Sequence, residues 1–359
     1  MILRFVAAFA LIVIAQYVLF RLFALRRFAY TCALSQNRVG EGETVELCET
    51  IENGGFFPLL WIRVEYRFSE ALPFIKNDNT TVAALTFHRS VFSAPPFCRV
   101  RRVYKIACMK RGYYPIGAAS VLVGDLLGLA SYALVYRGAT ALHVYPTPLP
   151  WRDLSLPSRL WLGDMVVRRF ILPDPFMPAG VRGYAPGDPL NHINWKASAK
   201  VGGLLVHRHD YTADSRLTVV FDVEYEGYIL ALRDKTMEAA IRLLAAALDF
   251  AIANGMSAAL RTNSTGSRDG AEVTVPSGFG RVHRERLFTA MAEMGFKQTR
   301  SLPALLQEMS ETVRDTDILI MTRSLSKGSS AGMKALRGAG NKVEVFLIPD
   351  CAPQGGVAV

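Results

Sequence analysis

The sequence predicts a multidomain α+β chain: a membrane-spanning helix, a small β-sandwich-like domain and a doubly wound α/β domain, in that order. Three observations predict it. Residues 5–20 (FVAAFALIVIAQYVLF) form an uncharged apolar run. Across residues 39–144, short alternating apolar runs are separated by Gly, Pro and Asn. From Leu217 onward, apolar runs alternate with stretches of helical periodicity, the pattern of parallel strands joined by right-handed crossover helices. The boundaries lie where the pattern changes: an anchor over 1–27, the β-rich domain over 36–148, a connector over 149–212 and the α/β domain over 213–351. A chain of 359 residues has room for two globular domains and a short appendage.

In the anchor, Gln16 is the one strongly polar residue of the apolar run. With residues 22–25 beyond Arg21 the segment reaches the ~20 residues a helix needs to cross a bilayer, Arg21 snorkelling to the interface. A cleaved signal peptide fits poorly, because Arg21, Arg26 and Arg27 stand where a small-residue cleavage site belongs. An interfacial helix is the other alternative, since the uncharged core is short. Arg4 precedes the segment and three arginines follow it, so the positive-inside bias puts the C-terminal bulk in the cytoplasm. The net charge of +10 suits a protein held against anionic lipid. No recognised nucleic-acid module accompanies that charge, so the lipid bilayer is the expected partner and nucleic acid is not.

The β-rich stretch reads as strands VELCETIENGG, LLWIRVEYRF, RVRRVYKIACMK and ALHVYP, with Asn53-Gly54-Gly55 as a hairpin-type turn. Residues 99–111 hold six basic side chains and no acid, interleaved with Val100, Val103 and Ile106. That is a strand with one solvated cationic face; attraction to anionic headgroups is the functional alternative. Cys32, Cys48, Cys98, Cys108 and Cys351 are odd in number and lack Cys-x-x-Cys spacing, so neither a zinc ribbon nor a disulfide framework is implied. Free thiols suit a reducing compartment.

Residues 151–178 carry Pro157, Pro173, Pro175 and Pro178 and read as an irregular connector. Next comes RGYAPGDPLNHINWKASAK, residues 182–200. Pro186 presets its φ and Gly187 tolerates φ > 0, so the chain should reverse there. Beyond the turn, Ile193 and Trp195 alternate with Asn194 and Lys196, which predicts an extended segment with Trp195 buried and Lys196 on the opposite face. Asp188 would cap the turn, Lys196 would pair with an acid, and Arg182 would stack on Trp195 or pair with Asp188. The result is a clasp that fixes one surface between the domains, and a fixed surface can dock a partner. An Asp188–Lys196 acid–base pair is the catalytic alternative.

The run Arg-x-Tyr-x-Pro-Gly-Asp followed by Ile-x-Trp-Lys-x-Ser-Ala resembles the "domain of unknown function 58" family. Arg182, Tyr184, Pro186, Gly187, Asp188, Ile193, Asn194, Trp195, Lys196, Ser198 and Ala199 carry the match. The GDLLGL run at residues 124–129 is similar to the stretch that closes the β domain in that family. The resemblance implies a hairpin of two N-terminal membrane helices, where this chain shows one. It also implies frequent company of MoxR-type AAA+ ATPases and transglutaminase-like membrane proteins, in assembly, activation or envelope maintenance.

In the C-terminal part, LTVVFDV reads as a strand buried on both faces. A helix follows over 235–254, with Met237, Ile241, Leu244 and Leu248 at helical spacing and Gly255 as its cap. SAALRTN, DILIMTR and VEVFLIP are further strands, and residues 281–294, 302–309 and 332–336 are helical. This order and the family resemblance together imply a von Willebrand factor A-like fold. Ligands of such sheets bind at the carboxyl ends of the strands. Von Willebrand A domains often hold a divalent metal there with Asp-x-Ser-x-Ser; this chain has Asp222-Val-Glu224-Tyr-Glu226. Three carboxylates could hold Mg²⁺ or Ca²⁺ through hard oxygen ligands, yet the replacement of both serines reads as a degenerate site facing solvent. His207 and His209 share a strand face and, with His192, form a weaker metal candidate; strand-end histidines are more often structural.

The sequence holds no phosphate-binding Gly-x-x-x-x-Gly-Lys-Ser/Thr loop, no Gly-x-Ser-x-Gly elbow and no His-Glu-x-x-His. The expectation is therefore a membrane-anchored, non-enzymatic adaptor or scaffold whose partner supplies the ATPase. The alternative is a metal-dependent ligand-binding or hydrolytic protein using Asp222, Glu224 and Glu226.

Overall fold

The computed structural model describes residues 2–75, 87–116, 119–125, 127–136, 140–150, 178–185, 190, 193–209, 216–225 and 230–349. They form a mixed α/β chain with an N-terminal apolar helix and several β-sheets, divided into two compact units, Met1–Thr147 and Pro148–Val359.

The first unit opens with α1 (Ile2–Phe23), long and apolar enough to cross a membrane. Strands β1 (Phe28–Leu34), β2 (Arg38–Gly40), β3 (Thr44–Asn53), β4 (Leu59–Arg67), β5 (Phe74–Ile75) and β6 (Phe87–Ala94) follow. They continue with β7 (Cys98–Ala107), β8 (Gly112–Pro115), β9 (Ala119–Gly124), β10 (Ser131–Tyr136) and β11 (Ala141–Tyr145). Two four-stranded antiparallel sheets, β1-β3-β7-β5 and β10-β9-β4-β6, contribute to one core through Leu47, Ile51, Ile62, Val64, Ile106 and Val121. A third sheet runs β2-β11-β8. The alternation of β3 sends Val45, Leu47, Glu49, Ile51 and Asn53 inward, as a period of two requires. On β7, Arg99, Arg101 and Lys105 are exposed while Tyr104 and Ile106 are buried. Arg99 pairs with Glu52 of β3 at 2.8 Å, and Lys105 stands opposite Glu46, so this is a solvated, charge-balanced face.

The second unit begins with β12 (Pro178–Gly183), α2 (Trp195–Val201) and β13 (Leu205–His209), the two strands pairing antiparallel. Then come β14 (Arg216–Phe221), α3 (Leu230–Ala253), β15 (Ser257–Gly266), β16 (Glu272–Gly278), α4 (Gly280–Glu293) and β17 (Met294–Gln298). The chain continues through α5 (Leu302–Thr312), β18 (Asp317–Thr322), α6 (Lys327–Gly338) and β19 (Lys342–Leu347). The sheet runs β16-β15-β14-β18-β19, and β15, β14, β18 and β19 are mutually parallel. Leu217, Thr218, Val219, Val220 and Phe221 are all buried, as expected of a central strand covered on both faces. Helices α5 and α6 pack Leu305, Leu306, Met309 and Leu336 onto Val220, Ile318, Ile320 and Val343.

Several short strands were not anticipated from the sequence, among them two in the α/β sheet. β16 and β17 both pair antiparallel with β15, which is longer than its apolar SAALRTN portion. Val273 and Val275 of β16 alternate with exposed residues, a signal that its short length kept weak. The last helix likewise extends well beyond residues 332–336, because its exposed polar positions carry no apolar period.

Candidate functional site

Asp222 follows β14 directly, at the carboxyl end of the sheet, and is 2% exposed. Its Oδ1 accepts from Asn263 Nδ2 at 2.7 Å and from the Glu224 backbone N–H at 3.1 Å. Thr322 Oγ1 lies 2.7 Å from its Oδ2 and 2.9 Å from the Ser324 carbonyl, and its single proton serves one of the two. Asn263 also accepts from the Val223 N–H and donates to the Arg300 carbonyl. The carboxylate thus ties together the ends of three adjacent strands, β15, β14 and β18.

Around this clasp the crest is charged. Arg300 pairs with Glu272 at 2.6 Å and with Glu308, whose carboxyl it holds below the usual range. The Arg323 guanidinium sits 4.2 Å from the centre of the Tyr225 ring. Glu224 is half-buried at the same edge, and Glu226 lies outside the described residues. Among the described residues, no group of three or more His, Cys, Asp or Glu side chains is placed to hold a metal ion. Chemically, the arrangement presents Asp222 as an acceptor already engaged by protein donors. Asn263 and Thr322 were absent from the sequence reading; their position at strand ends beside Asp222 was the available signal.

The run at residues 182–200 folds differently from its expected form. Ile193 is buried and bridges Val206, as an extended segment would. At Asn194 the chain turns helical: its side chain accepts from the Ala197 N–H at 2.9 Å and caps α2, so Trp195 is the first helical residue. Trp195 is 66% exposed, which corrects its expected burial, and Lys196 is its helical neighbour rather than its strand opposite. Ser198 is the buried residue of this helix. Its hydroxyl accepts from the Leu205 N–H at 2.9 Å and lies 2.8 Å from the Asn194 carbonyl, fastening α2 to β13.

Arg182 is exposed on β12 and donates to the Gly183 carbonyl, while Tyr184 is joined to Leu204 through its backbone N–H. Pro186, Gly187, Asp188 and His192 lie outside the described residues, as do the side chains of His207 and His209. The described part of the run therefore exposes Trp195, Lys196, Lys200, Val201 and Leu190 on a small platform pinned by Asn194 and Ser198.

A third cluster, in the first unit, left no mark in the sequence pattern. Glu49 is fully buried between the sheets, accepting from Tyr30 Oη at 2.9 Å and Ser90 Oγ at 3.1 Å. Tyr66 (5.0 Å, tilted) and Tyr104 (4.8 Å, edge-on) flank the His88 ring, and among the described residues His88 Nε2 is buried without a hydrogen-bond partner. Burial pushes the Glu49 carboxyl up and His88 down to about 4.

The signs of these two shifts oppose. Glu49 contributes stability that is fully present below its unfolded value of 4.5 and is lost as pH rises through its higher folded value. His88 contributes stability above its unfolded value of 6.5, lost as pH falls towards about 4. Glu49→Gln keeps the volume and removes only the first dependence. Its melting temperature relative to the parent chain should therefore rise as pH increases above 4.5. A difference that stays constant as pH rises would show that folding does not raise the Glu49 carboxyl.

Three comparisons bear on identity. Residues 180–350 match the family described as "Protein of unknown function DUF58". The uncharacterized protein YeaD of Bacillus subtilis (strain 168) is 23% identical over 205 residues, 57% of this chain and 50% of its own. The chain thus spans about half the length of the curated relative it matches. Among solved structures, a cohesin module from a Clostridium perfringens family 33 glycoside hydrolase overlaps 33% of this chain and 96% of its own, at 12% identity and a TM-score of 0.26. A type II cohesin domain of Acetivibrio cellulolyticus overlaps 33% and 94%, at 13% identity and 0.25. Scores this low carry no structural relationship.

Proposed function

Residues 180–350 match the DUF58 family, and from that match we propose that the chain is a membrane-anchored, non-enzymatic adaptor. The observation that carries the reading is the exposed Trp195. A large aromatic standing in solvent beside Lys196 and Lys200, on a helix fixed by Asn194 and Ser198, has the composition of a binding anchor rather than of a core. The engaged Asp222 carboxylate supports a mechanical role for the sheet crest.

In this reading α1 anchors residues 1–27, the β-rich part spans 36–148 as a sandwich, and 149–212 connect it to the α/β domain over 213–351. The latter is von Willebrand factor A-like. Support comes from the sheet order, in which the first strand is central and the third, β16, is an antiparallel edge. Arg21, Arg26 and Arg27 favour a cytoplasmic globular part. The platform around Trp195 takes a MoxR-type AAA+ ATPase, with a transglutaminase-like membrane protein as a further member of the assembly.

Affinity purification of the full chain from detergent-solubilised membranes tests the reading. An AAA+ ATPase should co-purify, with recovery that changes when ATP is added. Recovery of no such ATPase, with ATP and without, would sink it.

A further inference from the structure

One end of the first unit packs against one face of the C-terminal half of α1. Val13, Gln16, Phe20, Phe23 and Ala24 are the positions withdrawn from solvent, a stripe at helical spacing, while residues 2–12 are exposed. Three loops form this collar. In the β3–β4 loop, Phe56 and Phe57 bring their rings 4.9 Å from Phe23 and 6.1 Å from Phe20. The β6–β7 loop joins it through the Phe97 N–H, which donates to the Gly55 carbonyl at 3.1 Å. The β9–β10 loop reaches furthest along the helix: Gln16 Nε2 donates to Asp125 Oδ2 at 3.3 Å. Just behind it, Tyr132 packs on Phe20 at 5.5 Å and donates its hydroxyl to the Arg21 carbonyl at 2.8 Å.

The tips of these same loops carry large apolar side chains pointing outward. Phe56 is 53% exposed, Phe97 71%, Leu127 48% and Leu129 58%. Phe97 holds φ at 55°, a conformation that a bulky L residue keeps only where its surroundings impose it. Large apolar side chains gathered at one end of a unit mark an interaction site.

Helix length identifies the partner. A hydrocarbon core ~30 Å thick takes about 20 helical residues, the number from Ile2 to Arg21. Gln16 then lies five residues short of Arg21, roughly 8 Å inside the core boundary at 1.5 Å per residue. Because Gln16 is bonded to Asp125, the collar cannot stand clear in water while α1 spans. We propose that this end of the β unit is seated in the bilayer, with Phe56, Phe97, Leu127 and Leu129 immersed at the headgroup–acyl boundary around the emerging helix. The depth agrees with the 5–10 Å to which interfacial apolar faces sink. Arg21, over the Tyr132 ring at 5.2 Å, and Arg26, over Phe23 at 4.7 Å, then lie where lipid phosphates are.

The inference rests on the reading of α1 as a membrane span, and the test separates the two. β3 and β7 run from the collar, at Asn53 and Cys98, to their far ends at Thr44 and Ala107. Met109, also exposed, therefore stands about ten strand residues away, roughly 30 Å. Benzoylphenylalanine is placed singly at Phe9, Phe97, Leu129 or Met109 of the full chain, all exposed positions, and each chain is reconstituted in nanodiscs of phosphatidylcholine and phosphatidylglycerol. After irradiation, lipid adducts are read by mass spectrometry, and each chain is first shown by circular dichroism to match the parent. Adducts at Phe9, Phe97 and Leu129, with none at Met109, are expected. Adducts at Phe9 alone overturn the seating and leave the anchor standing. Adducts at none overturn both, and adducts at Met109 equal to those at Phe97 reduce the collar to indiscriminate contact.

Discussion

Asp222→Ala should destabilise the second unit by about 3–5 kcal/mol, since it removes a buried carboxylate and strands its donors. The Asn263 amide, the Glu224 N–H and the Thr322 hydroxyl would lose a charged acceptor in a site that water does not reach freely. Asp222→Asn keeps the volume but turns an amide towards these donors; about 1–2 kcal/mol is expected. Urea unfolding of the full chain in detergent micelles, followed by far-UV circular dichroism, measures both. A parental midpoint for Asp222→Ala would remove the clasp. The same chains separate this role from ion binding by Asp222, Glu224 and Glu226. Titration calorimetry with Mg²⁺ or Ca²⁺ should give no heat that Asp222→Ala abolishes, and an Asp222-dependent heat would restore the metal reading.

Trp195→Ala is expected to change unfolding stability by no more than about 0.5 kcal/mol, as a largely exposed side chain should. A buried tryptophan would instead cost about 3–5 kcal/mol. Its effect belongs on the partner: loss of a central aromatic anchor costs 2 kcal/mol or more, about thirtyfold in recovery of the co-purifying ATPase. Lys196→Ala should lower recovery less, because an exposed charge contributes little once screened. Asn194→Ala gives the opposite profile, about 1 kcal/mol of stability through the lost helix cap. Equal recovery of the ATPase by Trp195→Ala and the parent would move docking away from this platform.

How much of this was legible in the sequence depended on whether a local period carried the information. The apolar run of α1, the buried strands β14 and β18, and the helix that ends before Gly255 all follow from patterns within a single element. Gly255 itself holds φ at 70°, the left-handed geometry anticipated for that cap. The match to the DUF58 family over residues 180–350 was legible too, because its motif is contiguous.

Trp195 shows where such reading stops. Alternation over Ile193, Asn194, Trp195 and Lys196 fits a strand, but one hydrogen bond from Ala197 to Asn194 starts a helix and turns the indole outward. Four residues cannot distinguish a period of two from one of 3.6. Glu49 shares the inward face of β3 with Val45, Leu47 and Ile51, and the neighbouring strand β1 and the facing sheet bring Tyr30 and Ser90 to it. Asp222, Asn263 and Thr322 are up to 100 residues apart along the chain, and parallel pairing of β14 with β15 and β18 brings them together. The sequence by itself determined the long apolar helix, the order of the α/β elements and the match to the DUF58 family over residues 180–350. The tertiary structure decided which polar groups are buried together and which aromatic is left in solvent, because sheet register and capping act between residues that no local period connects.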